Sequence, residues 1–149
     1  MKLYGSLASP FVASCWLTVA AKGGGVDLEM YEGGIKSDIY LAMSPMGKMP
    51  LLVDGDTSIP ESAVICEYLD ANLPGPALMP ADSAGQARVR LLCRLIDIYV
   101  YPTVFALLKL PTVGDPDAVK TATTDALASL DYLEHFLAGG GFAYGNALT

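Results

Sequence analysis

Lys48-Met49-Pro50-Leu51-Leu52-Val53-Asp54-Gly55-Asp56-Thr57-Ser58-Ile59-Pro60-Glu61-Ser62 reads as two short strands that meet at a turn and run into a helix. Met49-Pro50 opens the first strand, Leu51 to Val53 continue it, Gly55-Asp56 turns, Thr57 to Ile59 return, and Pro60-Glu61-Ser62 starts the helix. A proline at the head of a strand has no N–H for the ladder, so Pro50 belongs at an edge or follows an unusual peptide bond, which a cis bond would supply. In that geometry the Met49 N–H and C=O face away from their own sheet and can pair with another extended backbone. Glu61 and Ser62 sit where first-turn N–H groups and the helix dipole favour a carboxylate, with Glu61 suited to an amino group. A ligand with an α-amino acid end and a peptide backbone satisfies both handles. Taken singly, the residues also fit a trans Met-Pro pair, a Ser62 N-cap and a first-turn acid. The combination is what points to a ligand.

The 149 residues are 52% hydrophobic and 17% charged, enough apolar material for a folded core. The formal net charge of −7, with nine Lys and Arg, argues against nucleic acid and against an anionic membrane held by bulk charge. An anionic ligand then depends on local cations, for which Lys36, Lys48, Arg88, Arg90 and Arg94 are the candidates. Cys15, Cys66 and Cys93 are odd in number and lack metal-like spacing, and His135 is alone, so no metal site is expected and a reducing, cytoplasmic setting is.

Lys2 followed by the apolar Phe11–Ala21 stretch imitates a secretory signal, but Ser9-Pro10 and Lys22-Gly23 bracket that stretch as a capped helix. No run of apolar residues approaches the roughly 18 expected of a membrane span. Strand and helix alternate to about Leu73, where the Pro/Gly-rich segment 74–81 reads as a linker between an α/β domain at 1–75 and an all-helical domain at 82–149. In the second part Leu91, Leu92, Leu95, Ile98 and Tyr99 recur at helical spacing toward Leu110. Asp115-Pro116 supplies a cap and an N1 proline for another helix, with Val119, Ala122, Ala126, Leu130 and Leu133 on one face and Gly139-Gly140-Gly141 ending it.

These motifs together resemble the glutathione transferase family. Lys2-Leu3-Tyr4-Gly5 is similar to its first strand, Ser9-Pro10-Phe11-Val12 to its catalytic loop, and Lys36-Ser37 with Ser44-Pro45-Met46-Gly47-Lys48-Met49-Pro50 to its second binding segment. The resemblance implies a thioredoxin-like α/β domain, a mixed four-stranded sheet with helices, followed by an all-α domain. It implies glutathione as co-substrate, a small electrophilic second substrate, a role in detoxification and a homodimer, with Asp97 suggested at the dimer interface. Gly145-Asn146-Ala147-Leu148-Thr149 resembles the entry into the family's next helix, so the helical domain is expected to be incomplete, with apolar faces left exposed.

Glutaredoxins carry Cys-Pro-Phe/Tyr-Cys where this chain has Ser9 and Val12, so dithiol exchange lacks both thiols. The serine-using tau-like and theta-like members are the better analogues. Ser9 at a helix start fits donation of its O–H to the glutathione sulfur, holding it as thiolate. Tyr4 and Ser6 are the rivals for that role. The resemblance further implies that Lys36 and Lys48 hold the glycine carboxylate, that Met49 with Pro50 meets the cysteinyl backbone, and that Glu61 with Ser62 takes the γ-glutamyl end. Lys48 stands where many relatives have glutamine. An acceptor pocket is implied beside Leu7, Ala8, Phe11, Tyr101 and Phe105. Two other functions stay open: a non-catalytic binding or assembly module, and a glutathione-dependent peroxidase, isomerase or dehalogenase.

Overall fold

The computed structural model describes residues 1–110, 115–137, 142–146 and 148–149, arranged as two compact units, Met1–Leu78 and Met79–Thr149. The expected helix end at Gly139-Gly140-Gly141 lies outside the described residues, as does Ala147 of the last motif.

The first unit contains β1 (Lys2–Tyr4), α1 (Pro10–Ala21), β2 (Asp27–Glu29), α2 (Asp38–Met43), β3 (Leu51–Asp54), β4 (Thr57–Pro60) and α3 (Ser62–Asn72). The sheet order is β2-β1-β3-β4, with β1 parallel to β2 and antiparallel to β3, so it is the expected mixed four-stranded sheet. Its register decides where the loops emerge. Tyr4 pairs with Glu29 and with Leu51, and Leu51 pairs with Pro60. The end of β1, the end of β2, the start of β3 and the end of β4 therefore share one edge of the sheet. Residues 5–9, 30–37, 47–50 and 61–62 all begin or finish there.

Two details of the hairpin differ from the sequence reading. The first strand begins at Leu51, leaving Pro50 outside the ladder, and Pro60 closes β4 instead of opening the helix. Pro60 is tolerated because β4 is an edge strand, where a missing N–H costs no ladder bond.

One face of the sheet is covered by α1 and α3. Val12, Cys15 and Val19 of α1 and Ile65 and Leu69 of α3 pack with Leu3, Val26 and Leu52 into the core. The spacings 12, 15, 19 and 65, 69 are those of one helical face, and each fully buried Leu or Val contributes about 2 kcal/mol. Gly5 lets β1 pass under α1, since a methyl group there would meet Val12 Cγ2 at 2.5 Å. Tyr4 and Leu51 alternate to the other face of the sheet, where the Tyr4 ring meets Tyr31 edge-on at 5.0 Å and Tyr31 meets Tyr40 of α2 at 5.2 Å.

A buried ion pair holds the end of this unit. Lys22, which caps α1, donates through Nζ to Asp70 Oδ1 at 2.9 Å and to the Pro76 carbonyl at 2.8 Å, and the Leu78 N–H donates to the same Asp70 oxygen at 2.9 Å. Residues 76 to 78 are thus tied to α1 and α3. Gly75, at φ +104°, runs so close to Lys22 O that a Cβ would lie 3.0 Å from it.

The second unit contains α4 (Ser83–Leu95), a single wide π-turn at Ile96–Val100, α5 (Tyr101–Leu108) and α6 (Pro116–Phe136). Asp82 and Asp115 accept first-turn N–H groups through their side chains, as N-caps do. The long helix expected here is interrupted in register because Pro102 has no N–H for Ile98 O and its ring crowds that carbonyl, and the wide turn before it absorbs the clash. Of the residues expected on the apolar face, Leu92 and Leu95 are buried, as is Val100, whereas Leu91 is exposed and so are Ile98 and Tyr99 within the wide turn. On α6 the inward residues are Ala126 and Ser129, and Val119 and Leu130 of the expected apolar face lie outside. Thr103 and Ser129 hydroxyls meet at 2.9 Å between α5 and α6, a polar contact that apolar periodicity does not register. The run Ser83–Leu108 is also long and apolar enough to cross a membrane by length and composition, with a mean hydropathy of 1.7 in its most apolar window, 17% of which is buried. This corrects the sequence reading that no segment reaches that threshold, although core helices of soluble proteins meet the same criterion.

Replacing Lys22 by Met leaves Asp70 with a buried charge and no cation, at an expected cost of about 3 kcal/mol. Urea denaturation measures it, and a loss below about 1 kcal/mol would show that the pair is not structural.

Candidate functional site

At the shared edge of the sheet, the loop 5–9 is closed by Ser9 N–H donating to Ser6 O at 2.9 Å and by Ala8 N–H donating to Ser6 Oγ at 3.3 Å. The Ser6 hydroxyl is thereby engaged within its own turn. Ser9 is the N-cap residue of α1, with extended φ and ψ, and its carbonyl accepts from Ala13 N–H at 2.9 Å. Its hydroxyl makes no capping bond, so the ordinary reason for a serine at this position is missing.

The second segment is held from below. The Met49–Pro50 peptide bond is cis, Pro50 is buried, and Met49 lies outside the β3 ladder. Tyr40 Oη donates to the Lys48 carbonyl at 2.7 Å, and burial pushes the Tyr40 phenol above its usual range. A neutral phenol donor inside the unit thus fixes the residue before Met49. Gly47, at φ +55°, lies under Lys36, whose Nζ is 2.8 Å from where a Gly47 Cβ would sit. That contact brings Lys36 to the Gly47–Pro50 turn from eleven residues upstream. The Lys36 and Lys48 side chains are exposed.

Glu61 and Ser62 differ from the ordinary cap arrangement. Glu61, not Ser62, is the cap residue of α3, and Ser62 is the first residue of the helix. Glu61 adopts φ +74° and ψ 113° without a side-chain capping bond, alone in having positive φ among the described non-glycine residues. A non-glycine residue in this region costs about 1–3 kcal/mol and is found where the surroundings impose it. Glu61 is exposed and Ser62 half-buried.

One sulfur joins the two helices behind these residues. Cys15 Sγ is 3.4 Å from Phe11 O on α1, 3.6 Å from Ser62 O on α3 and 3.9 Å from Cys66 Sγ. The second turn of α1 therefore touches the start of α3, and the strand register brings the Ser9 and Ser62 segments to the same edge of the sheet. Sequence reading missed both Cys15 and Tyr40 as site-building residues, and a buried tyrosine near a Gly-x-x-Pro turn was the available signal.

This architecture matches the description "Glutathione S-transferase, N-terminal domain" over residues 3–77. The chain belongs to the glutathione S-transferase family. It is 34% identical to Glutathione S-transferase U7 of Arabidopsis thaliana, covering 99% of this chain and 64% of that protein. It is 31% identical to a stringent starvation protein A homolog of Coxiella burnetii, covering 81% of this chain and 56% of that protein. The chain thus spans less than two thirds of the length of these relatives. The structure of human glutathione transferase theta-2, complexed with glutathione and an unknown ligand, superposes with a TM-score of 0.85 at 24% identity, over 99% of this chain and 65% of that one, a likeness of fold.

The other residues singled out from the sequence are distributed between the units. Leu7 and Ala8 are exposed and Phe11 half-buried in the first unit, while Tyr101 and Phe105 stack on each other at 5.6 Å in the second. An open groove on the second unit is instead lined by Leu95, Tyr99, Asp131, Tyr132, His135 and Phe136. Arg88 serves the fold: it donates to Phe136 O at the end of α6 and lies 4.9 Å over the Phe136 ring. Arg90, Arg94 and Asp97 are also in the second unit. Among the described residues no cluster of three metal-ligating side chains occurs.

Glu61→Gly removes the backbone penalty at φ +74°, so the unfolding free energy is expected to rise by about 1 kcal/mol. Thermal melting reads the change. A lower Tm would mean that the Glu61 side chain itself stabilises the unit.

Proposed function

We propose that this protein binds glutathione along the shared edge of the sheet and uses Ser9 to hold its sulfur as a thiolate for attack on an electrophilic small molecule. The observation that carries the reading is the Ser9 hydroxyl, left out of the helix cap at the start of α1, on the sheet edge that the Met49–Pro50 and Glu61–Ser62 segments share. Ser6, its neighbour in the loop, is less suited because it precedes the helix by four residues, whereas Ser9 is at the helix start. Tyr4 is less suited because its ring is packed edge-on against Tyr31.

In this reading Met49 offers its backbone to the cysteinyl residue of glutathione, as a strand edge does to an extended peptide. Glu61 takes the γ-glutamyl ammonium, and Ser62 with the first-turn N–H groups of α3 takes the adjoining carboxylate. Lys36 and Lys48 take the glycine carboxylate, for which the closeness of Lys36 to Gly47 is support. The glutathione held by the theta-2 structure supports the same ligand.

A free thiol with a pKa near 8.5 is only a few per cent ionised at neutral pH. A charge-assisted O–H···S⁻ bond with the helix dipole supplies about 2.7 kcal/mol, which lowers that pKa by about two units. The Ser9 proton stays on Ser9. Glutathione loses its proton to solvent, and its sulfur then forms the new bond to carbon while the acceptor's leaving group departs or its double bond takes up the electron pair. The protein acts by orientation and anion stabilisation.

Ser9→Ala is expected to raise the bound thiol pKa by about one to two units and to lower turnover by about 10- to 100-fold at neutral pH, with glutathione affinity changed less than about threefold. Thiolate absorbance against pH and steady-state rates with a panel of electrophiles and hydroperoxides measure both. Unchanged turnover would remove Ser9 from the mechanism. A second reading is a binding module without turnover, since one of the similar proteins bears a name that is not that of a transferase; glutathione affinity with no thiol-dependent product would select it.

A further inference from the structure

Cys15 and Cys66 are 51 residues apart in the chain and face each other across the α1–α3 contact, with their sulfurs 3.9 Å apart. Neither is used in the reaction outlined above. We propose that these two cysteines are an oxidative modification site, in which a hydroperoxide converts the pair to an intramolecular disulfide that staples α1 to α3.

The two sulfurs differ in the way that such a step needs. Cys15 is fully buried, and the contact with Cys66 followed by burial pushes its thiol far above the usual range, so it stays protonated and out of reach of solvent. Cys66 is half-buried on α3, one turn after Ser62, and is the sulfur of the pair that a peroxide can meet. Cys66 as thiolate attacks one oxygen of the hydroperoxide, the O–O bond breaks, and the alcohol (or water, from hydrogen peroxide) leaves with a proton, giving a Cys66 sulfenic acid. Cys15 Sγ then attacks the Cys66 sulfur, the S–OH bond breaks, and the departing hydroxide leaves as water with the Cys15 proton. Two electrons from the two sulfurs have reduced one O–O bond. The two sulfurs, 3.9 Å apart, are already in contact and close to roughly 2.05 Å in a disulfide.

The position gives the modification a local effect. Cys15 Sγ also contacts the carbonyls of Phe11 and Ser62, so the link would join the second turns of α1 and α3, one turn behind the helix starts that follow Ser9 and Glu61. The proposal does not rest on glutathione binding and stands or falls separately from it.

The test uses the protein carrying Cys93→Ser, which removes the exposed third thiol. After treatment with hydrogen peroxide and quenching with catalase, the protein is unfolded in an alkylating reagent and mapped without reduction. The expected result is a Cys15 peptide linked to a Cys66 peptide in monomeric protein, with both thiols restored by dithiothreitol. Cys15→Ser in the same background is expected to leave a Cys66 sulfenic acid that dimedone traps. Full alkylation of both cysteines after peroxide would overturn the proposal, and so would a Cys66 link between two molecules. Dimedone capture at Cys15 in a Cys66→Ser protein would overturn the assigned order of attack.

Discussion

The contact between α1 and α3 is the constraint on which the rest of the first unit depends. Both helices must lie on one face of the sheet to bury Val12, Cys15, Val19, Ile65 and Leu69 against Leu3 and Leu52. The register allows this in one way: Tyr4 opposite Leu51 and Leu51 opposite Pro60 make both helices start from the same edge of the sheet. Burial of apolar surface thereby brings two helix N-termini together, an arrangement that favours anions and leaves donors unpaired.

Two polar devices keep that edge in shape. Tyr40 reaches from α2 to the Lys48 carbonyl and sets the turn before Pro50. Lys22 and Asp70 secure the opposite ends of α1 and α3 and hold residues 76 to 78 against them. A buried pair of this kind is weak as a source of net stability, but removing one partner is costly. Its evident effect is geometric, because it determines where the chain leaves the first unit. In the helical unit the equivalent role falls to Arg88 over Phe136 and to the Thr103–Ser129 contact.

The local backbone features of the candidate site were legible in the residues themselves. Pro50 after Met49, the Ser9-Pro10 helix start and the Glu61-Ser62 pair are local signals, since each restricts the backbone within one or two residues of itself. What local signals misjudged were boundaries and faces. Pro60 ended a strand because β4 is at the sheet edge, Glu61 took the cap position with positive φ in place of Ser62, and the wide turn before Pro102 broke the helical register at Ile98 and Tyr99, which lie outside. Periodicity assumes an even 3.6-residue turn, and a single π-turn is enough to defeat it.

By itself, then, the sequence determined the α/β-then-helical order of the chain, its family and the local form of the loops at the candidate site, because hydrophobic period, proline and capping residues act within a few positions. Only the tertiary structure decided which distant residues meet: Tyr40 with Lys48, Lys36 with Gly47, Lys22 with Asp70 and Cys15 with Cys66. Such pairings follow from strand register and from how two helices share one sheet face, and long-range packing leaves no fixed spacing in the chain for a reader to find.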